Sequence, residues 1–148
     1  MTALVIGYGN RLRGDDGAGQ RLVEWLAAQH QPGVVTLACH QLMPELIQPL
    51  RTASRVLFID AAQGAQGVRL LPLSSHRANR WSPGIFSHAL SPLQLLALAE
   101  QLDGSAPEAW QLLIPAHCSQ LGQRLSRPTA SACRSALPVL RRWLNGDA

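Results

Sequence analysis

The sequence contains no lysine. All thirteen of its basic residues are arginine, so a Walker-type lysine, a lysine Schiff base and a catalytic Ser-Lys pair are excluded. Cysteine is scarce. Cys39, Cys118 and Cys133 form an odd set with no C-x-x-C pair, which argues against a disulfide framework and against a structural zinc site. Cys133 falls on a helix face with Leu137, Leu140 and Leu144, so core packing is its expected role. No uninterrupted apolar stretch approaches the roughly 20 residues that span a bilayer. No positively charged n-region precedes the first apolar run, and a cytoplasmic protein is expected. Neither H-E-x-x-H nor G-x-S-x-G occurs, which leaves a zincin or a nucleophile-elbow hydrolase without local support. The formal charge of +4 raises the question of nucleic acid. The arginines, however, are scattered from Arg11 to Arg142, with only Arg141 and Arg142 adjacent and no aromatic-interleaved basic stripe. A solvated basic surface is the expectation, with an acidic protein partner as the other reading of the charge.

What is present describes one ordinary globular domain. With 148 residues, 47% of them hydrophobic and 15% charged, the chain is long enough to bury roughly two-thirds of the surface its unfolded form exposes. Short apolar runs at 3–7, 34–39 and 55–60 predict buried strands. Residues 67–72 predict a strand near an edge, because Pro72 ends it, and residues 110–115 predict a further strand. Helices are expected at 16–29, at 43–52 (disturbed by Pro49), at 91–102 behind the Ser91-Pro92 start, and from Ser126 to about Leu144 with a kink at Pro138. The third of these is apolar nearly all round, which implies deep burial or an interface. There is no internal repeat and no long linker. Strands alternating with helices give the fold class: a single three-layer α/β domain over 1–148, with a mostly parallel sheet of about five strands and helices on both faces.

The candidate chemistry clusters where such folds place it, outside the carboxyl ends of the strands. The first strand ends in Gly7-Tyr8-Gly9-Asn10, and GDDGAG over 14–19 follows where a helix should begin. The outline is that of a nucleotide-binding turn with the wrong charge, since Asp15 and Asp16 would repel phosphate from the helix N-terminus. The third glycine of G-x-G-x-x-G would also fall at Leu12. Two acids there suit a cation or a proton. Asp60 closes a run of four apolar residues at the mouth of the sheet, and His88 lies just before the Ser91-Pro92 helix start. Two carboxylates and an imidazole make a three-point site for a divalent first-row metal. Each also has a plainer reading: Asp15 as a helix cap, Asp60 as the cap of a turn into residues 61–64, His88 as a structural histidine. Cys39-His40 and His117-Cys118 resemble dyads only in text, because neighbours on a strand face opposite ways. His30 and His76 are expected to be solvated.

Taken together, these motifs resemble those of the maturation proteases that trim the large subunit of nickel–iron hydrogenases. Gly7-Tyr8-Gly9-Asn10 with Leu12 and the 14–19 segment is similar to that family's opening signature. Asp60-Ala61 is similar to its second acidic position, and Ser87-His88-Ala89-Leu90 to its histidine motif. Residues 122–126, leading into the last helix, resemble its C-terminal segment. The resemblance implies a site at Asp16, Asp60 and His88 that contacts nickel, with the metal supplied by the substrate and no organic cofactor. It implies removal of a short C-terminal peptide from the nickel-loaded precursor, by a protein that is a monomer or a weak homodimer and binds neither nucleic acid nor membrane. His40 to Glu45 resembles the version found beside soluble, cofactor-linked hydrogenases. Hydrolysis needs an activated water and a stabilised oxyanion. A metal could supply both; alternatively Asp16, Asp60 or Asp15 could act as general base with N–H groups near Gly7 to Gly9 as oxyanion donors. A non-catalytic nickel-binding checkpoint protein or metallochaperone would use the same residues.

Overall fold

Five strands and four helices account for most of the chain in a computed structural model, which describes residues 2–74 and 89–147. The order is β1 (Ala3–Tyr8), α1 (Ala18–Ala28), β2 (Val34–Cys39), α2 (Ile47–Thr52), β3 (Arg55–Gln63), β4 (Arg69–Leu73), α3 (Pro92–Asp103), β5 (Glu108–Ala116) and α4 (Arg127–Leu144). Short 3-10 turns at Gly14–Gly17 and Pro44–Leu46 lead into α1 and α2. The sheet order is β2-β1-β3-β5-β4. Four strands are parallel, and β4 runs antiparallel along the edge beside β5. The expected three-layer α/β architecture is therefore what the chain adopts.

The alternation of side chains along each strand explains the layers. Ala3 and Val5 on β1, with Leu57 and Ile59 on β3, face α1 and α4 in one core, which is closed by Leu22, Leu26, Leu140 and Trp143. Their sequence neighbours Leu4, Ile6, Val56 and Phe58 face α2 and α3 in the other core, with Ile47, Leu50, Leu95 and Leu96. The apolar α3 is explained by burial of Leu95, Leu96 and Ala99. Its start is a capping box, in which Ser91 Oγ accepts from the Gln94 N–H while the Gln94 side chain accepts from the Ser91 N–H, as the Ser-Pro signal implied. Pro138, where a kink is expected, does not end the helix. α4 continues through it, because Pro138 and Arg134, whose carbonyl loses its helical donor, both lie on the exposed side where water can serve it.

Two features position the site. From β1 the chain passes to β2 on one side and later to β3 on the other, so β1 and β3 flank the switch point of the sheet, where a crevice opens beyond the carboxyl ends. β3 also overhangs β1: the last β1–β3 pair is Gly7 with Ile59, whereas β3 continues to Gln63. Asp60 is therefore inside a strand and not at its end as expected, but it stands just past the end of its neighbour.

Glycines let α1 sit directly on this rim. A Cβ on Gly7 would lie 2.1 Å from the Gly19 carbonyl oxygen, and one on Gly19 would lie 2.4 Å from that of Ile59. Backbone cannot yield at such distances without moving the helix. Gly19→Ala is accordingly expected to destabilise the fold by about 1–3 kcal/mol or more, read as a lowered urea midpoint; an unchanged midpoint would refute this account of the 14–19 segment.

Candidate functional site

The loop after β1 folds back on itself through side-chain and backbone bonds. Asn10 Oδ1 accepts from the Leu12 N–H at 2.9 Å, the Arg13 N–H reaches the Asn10 carbonyl at 3.1 Å, and the Asn10 N–H donates to Asp16 Oδ2 at 2.7 Å. Gly9 has φ 138°, a conformation open to glycine, and a Cβ there would strike the Asp16 carbonyl oxygen at 2.0 Å. Asp16 is thus held by the backbone on one side and half-exposed on the other.

Its neighbour Asp15 does a different job. The Asp15 side chain is fully buried, at 0% exposure, yet it caps neither the 3-10 turn nor α1, since no side-chain cap bond occurs at either start. It reaches across the fold instead. Asp15 Oδ2 accepts from the backbone N–H of His117 and of Cys118 at 2.8 Å each and from Ser126 Oγ at 2.7 Å, while Oδ1 accepts from the Ser126 N–H at 2.6 Å. The expected helix cap is therefore corrected to a clamp between the first loop and residues 117–126. Burial by itself would raise this carboxyl's pKa. The donors of Ser126 and His117 outweigh it and hold the group well below the ordinary carboxylate range. Ser126 Oγ in turn accepts from the Thr129 N–H at 3.4 Å and caps α4.

Asp60 has the opposite environment. Burial, together with repulsion from Asp16, pushes its pKa up to about 6, although the Tyr8 hydroxyl and the Ala61 N–H both donate to it. Burial and the charge of Asp60 likewise hold the Tyr8 phenol above its usual value. Gln111 Nε2 approaches the Tyr8 hydroxyl at 3.4 Å. Tyr8, Asp60 and Gln111 line a cavity closed by Leu73, Leu90, Pro92 and Leu93. The charge of Asp16, in the turn before α1, thus reaches Asp60, inside β3, and adds to the rise of its pKa. His88 and His76 lie outside the described residues. Among the described residues no group of three His, Cys, Asp or Glu side chains could hold a metal ion, so a third ligand to the Asp16–Asp60 pair would have to come from beyond them.

The weaker readings resolve simply. The Gly9 N–H donates to the Cys39 carbonyl at 3.2 Å and the Asn10 N–H to Asp16, so these loop donors are occupied and not turned toward an oxyanion. His40, His117 and His30 are exposed, and His117 and Cys118 matter through their backbones. Cys133 packs against the α1–α4 core, and burial pushes its thiol up to about 11. Three contributors carried no sequence signal. Gln20 is buried and donates to the Gly9 carbonyl at 2.7 Å and the Cys39 carbonyl at 2.9 Å, joining the ends of β1 and β2. Tyr8 and Gln111 are the other two.

No protein-family model and no curated protein matches the sequence. Solved structures do match. The hydrogenase maturating endopeptidase HybD from Escherichia coli superposes with a TM-score of 0.78 at 20% identity, over 100% of this chain and 94% of that one. The NiFe hydrogenase maturation protease HycI from Thermococcus kodakarensis gives 0.74 at 18% identity, over 97% and 92%. A hydrogenase 2 maturation peptidase from a Thaumarchaeota archaeon gives 0.70 at 22%, over 97% and 98%. The fold is that of the hydrogenase maturation proteases. It extends over essentially the whole chain, as the motif resemblance implied. No helix among the described residues is long and apolar enough to cross a membrane.

The two perturbed acids make opposite pH predictions. The depressed Asp15 contributes stability that is complete at neutral pH and lost as pH falls through its lowered value. Asp15→Asn should therefore weaken the fold by about 1–3 kcal/mol at pH 7 and flatten the acid limb of the stability curve; an unaltered acid limb would refute the clamp. The raised Asp60 favours folding while protonated, a contribution present below the ordinary carboxylate value and lost as pH rises through about 6. Asp60→Asn should gain about 1–2 kcal/mol on the parent between pH 4 and pH 8, measured by urea unfolding across that range. A constant difference would contradict the raised pKa.

Proposed function

We propose that the protein is an endopeptidase that removes a short C-terminal peptide from the nickel-loaded large-subunit precursor of a nickel–iron hydrogenase. What supports this reading is the placement of two acids, Asp16 in the turn after β1 and Asp60 on β3, beside the switch point of a sheet whose fold, over nearly the full chain, is that of proteins named for this activity. Nickel belongs to the substrate in this scheme and serves as the recognition element. It takes carboxylate and imidazole ligands, and an incompletely filled coordination sphere can bridge two proteins. Asp16 and Asp60 supply the carboxylates, and His88 is the imidazole that the resemblance assigns.

The two acids divide the remaining work by environment. Asp60, beside Tyr8 and Gln111 in the cavity, would take a proton from water through the oxygen that the metal leaves free as the water attacks the scissile carbonyl, and would return it to the departing amide nitrogen. Asp16, fixed by the Asn10 N–H, stays available to the metal. Asp15 has its oxygens engaged by four donors and acts by holding Asp16 in place; it is not the base.

Asp16→Asn keeps an acceptor for the Asn10 N–H and should fold with a stability within about 0.5 kcal/mol of the parent. Its processing rate on a matched, nickel-loaded precursor should fall at least about 100-fold, followed by appearance of the mature large subunit on a gel. Processing at the parent rate would remove Asp16 from the site. Unaltered nickel-dependent binding of the precursor without any cleavage by the parent protein would instead favour the non-catalytic checkpoint.

A further inference from the structure

Four large hydrophobic side chains among the described residues are exposed: Leu12, Val35, Leu102 and Leu121. Two of them meet. Leu12 is 56% exposed and Leu121 is 77% exposed, and their loops are joined directly, since the Gly122 N–H donates to the Leu12 carbonyl at 2.8 Å and the Gly14 N–H to the Gly122 carbonyl at 2.8 Å. Arg13 pairs with Gly122 as an isolated parallel bridge. Arginine surrounds the pair. Arg13, Arg124 and Arg127 are exposed, Arg21 donates to the Gln123 carbonyl, and Arg11 pairs with Glu24. The rim is continuous with the site. Leu12 is bonded through its N–H to Asn10, which also holds Asp16, and Asp15 clamps both loops from beneath.

Two exposed leucines on adjoining loops that border Asp16 offer an apolar spot to a partner seated over the site. Flanking arginines select which partner that is, because a positive rim steers and holds a negative one and rejects a basic one. We propose that Leu12 and Leu121, flanked by Arg13 and Arg124, form the docking surface for the precursor protein, taking a segment of it that presents apolar side chains between carboxylates. This deepens the peptidase reading and rests on it. The surface would contribute affinity and orientation, and the chemistry would stay with Asp16 and Asp60.

The test is steady-state cleavage of nickel-loaded precursor by four full-length proteins: the parent, Leu12→Ser with Leu121→Ser, Arg13→Glu with Arg124→Glu, and a control with Val35→Ser and Leu102→Ser, whose positions lie toward the amino ends of the strands. The leucine variant should raise KM about tenfold with kcat kept within about twofold. The charge-reversed variant should raise KM most at low salt, with the gap narrowing as salt rises, and the control should match the parent. An unchanged KM in the leucine variant, or an equal rise in the control, would overturn the docking surface while leaving the peptidase reading intact. A parent protein that neither binds nor cuts the precursor would overturn the peptidase reading itself, and the docking surface with it.

Discussion

A buried carboxylate with four donors holds the working end of this molecule together. Asp15 has no contact with water, so its charge persists only because the His117, Cys118 and Ser126 backbones and the Ser126 hydroxyl converge on it. Those donors come from a segment about a hundred positions away. The same carboxylate therefore fixes the loop after β1, the loop after β5 and, through Ser126, the first turn of α4. The far end of that helix is fastened separately, where the Arg55 guanidinium donates to the Trp143 and Leu144 carbonyls and lies 4.5 Å from the Trp143 ring centroid. With both ends of α4 pinned, its apolar face is held against β3 and β5, and Asp16 inherits a fixed position one residue beyond the clamp.

Two acids in the same small region end with opposite protonation behaviour, and environment is the cause. Asp15 is surrounded by donors and holds its charge far into acid. Asp60 is half-buried and feels the charge of Asp16, with the Tyr8 hydroxyl and one N–H in compensation, and its pKa rises to about 6. The difference follows from the surroundings: Asp15 has four donors converging on its charge, whereas desolvation and the charge of Asp16 disfavour the ionised form of Asp60. The glycines act by geometry. Gly7 and Gly19 let α1 approach β1 and β3 to backbone contact, which brings the helix start, and with it Asp16, to the mouth of the sheet.

Much of this was legible in the sequence wherever the signal is local. Apolar runs bounded by polar residues predict the strands at 3–7, 34–39 and 55–60, but only β1 and β3 are buried: β2 lies at the sheet edge with Val35 exposed, because a strand with one neighbour is covered on fewer sides. Ser91-Pro92 and Ser126 mark their helix starts, and Asp16 and Asp60 stand out as acids beyond apolar segments. The clamp was not legible, because three of its four donors are backbone N–H groups, which every residue other than proline carries, and nothing in the text distinguishes those of His117, Cys118 and Ser126. For the same reason Asp15 read as a helix cap. Tyr8 and Gln111 were missed because they come together only once β1, β3 and β5 are in register. The run of apolar residues stops at Asp60 and so predicts a strand end there, whereas backbone pairing with β5 carries β3 on to Gln63.

We propose that the Asp16–Asp60 pair reads a metal carried by the substrate before the cut is made. The decisive measurement is the intact mass of a matched hydrogenase large-subunit precursor after incubation with the protein, with and without nickel installed. Loss of one discrete C-terminal peptide is expected from the nickel-loaded precursor, and no change in the nickel-free one. Equal cleavage of both, or of neither, would contradict it.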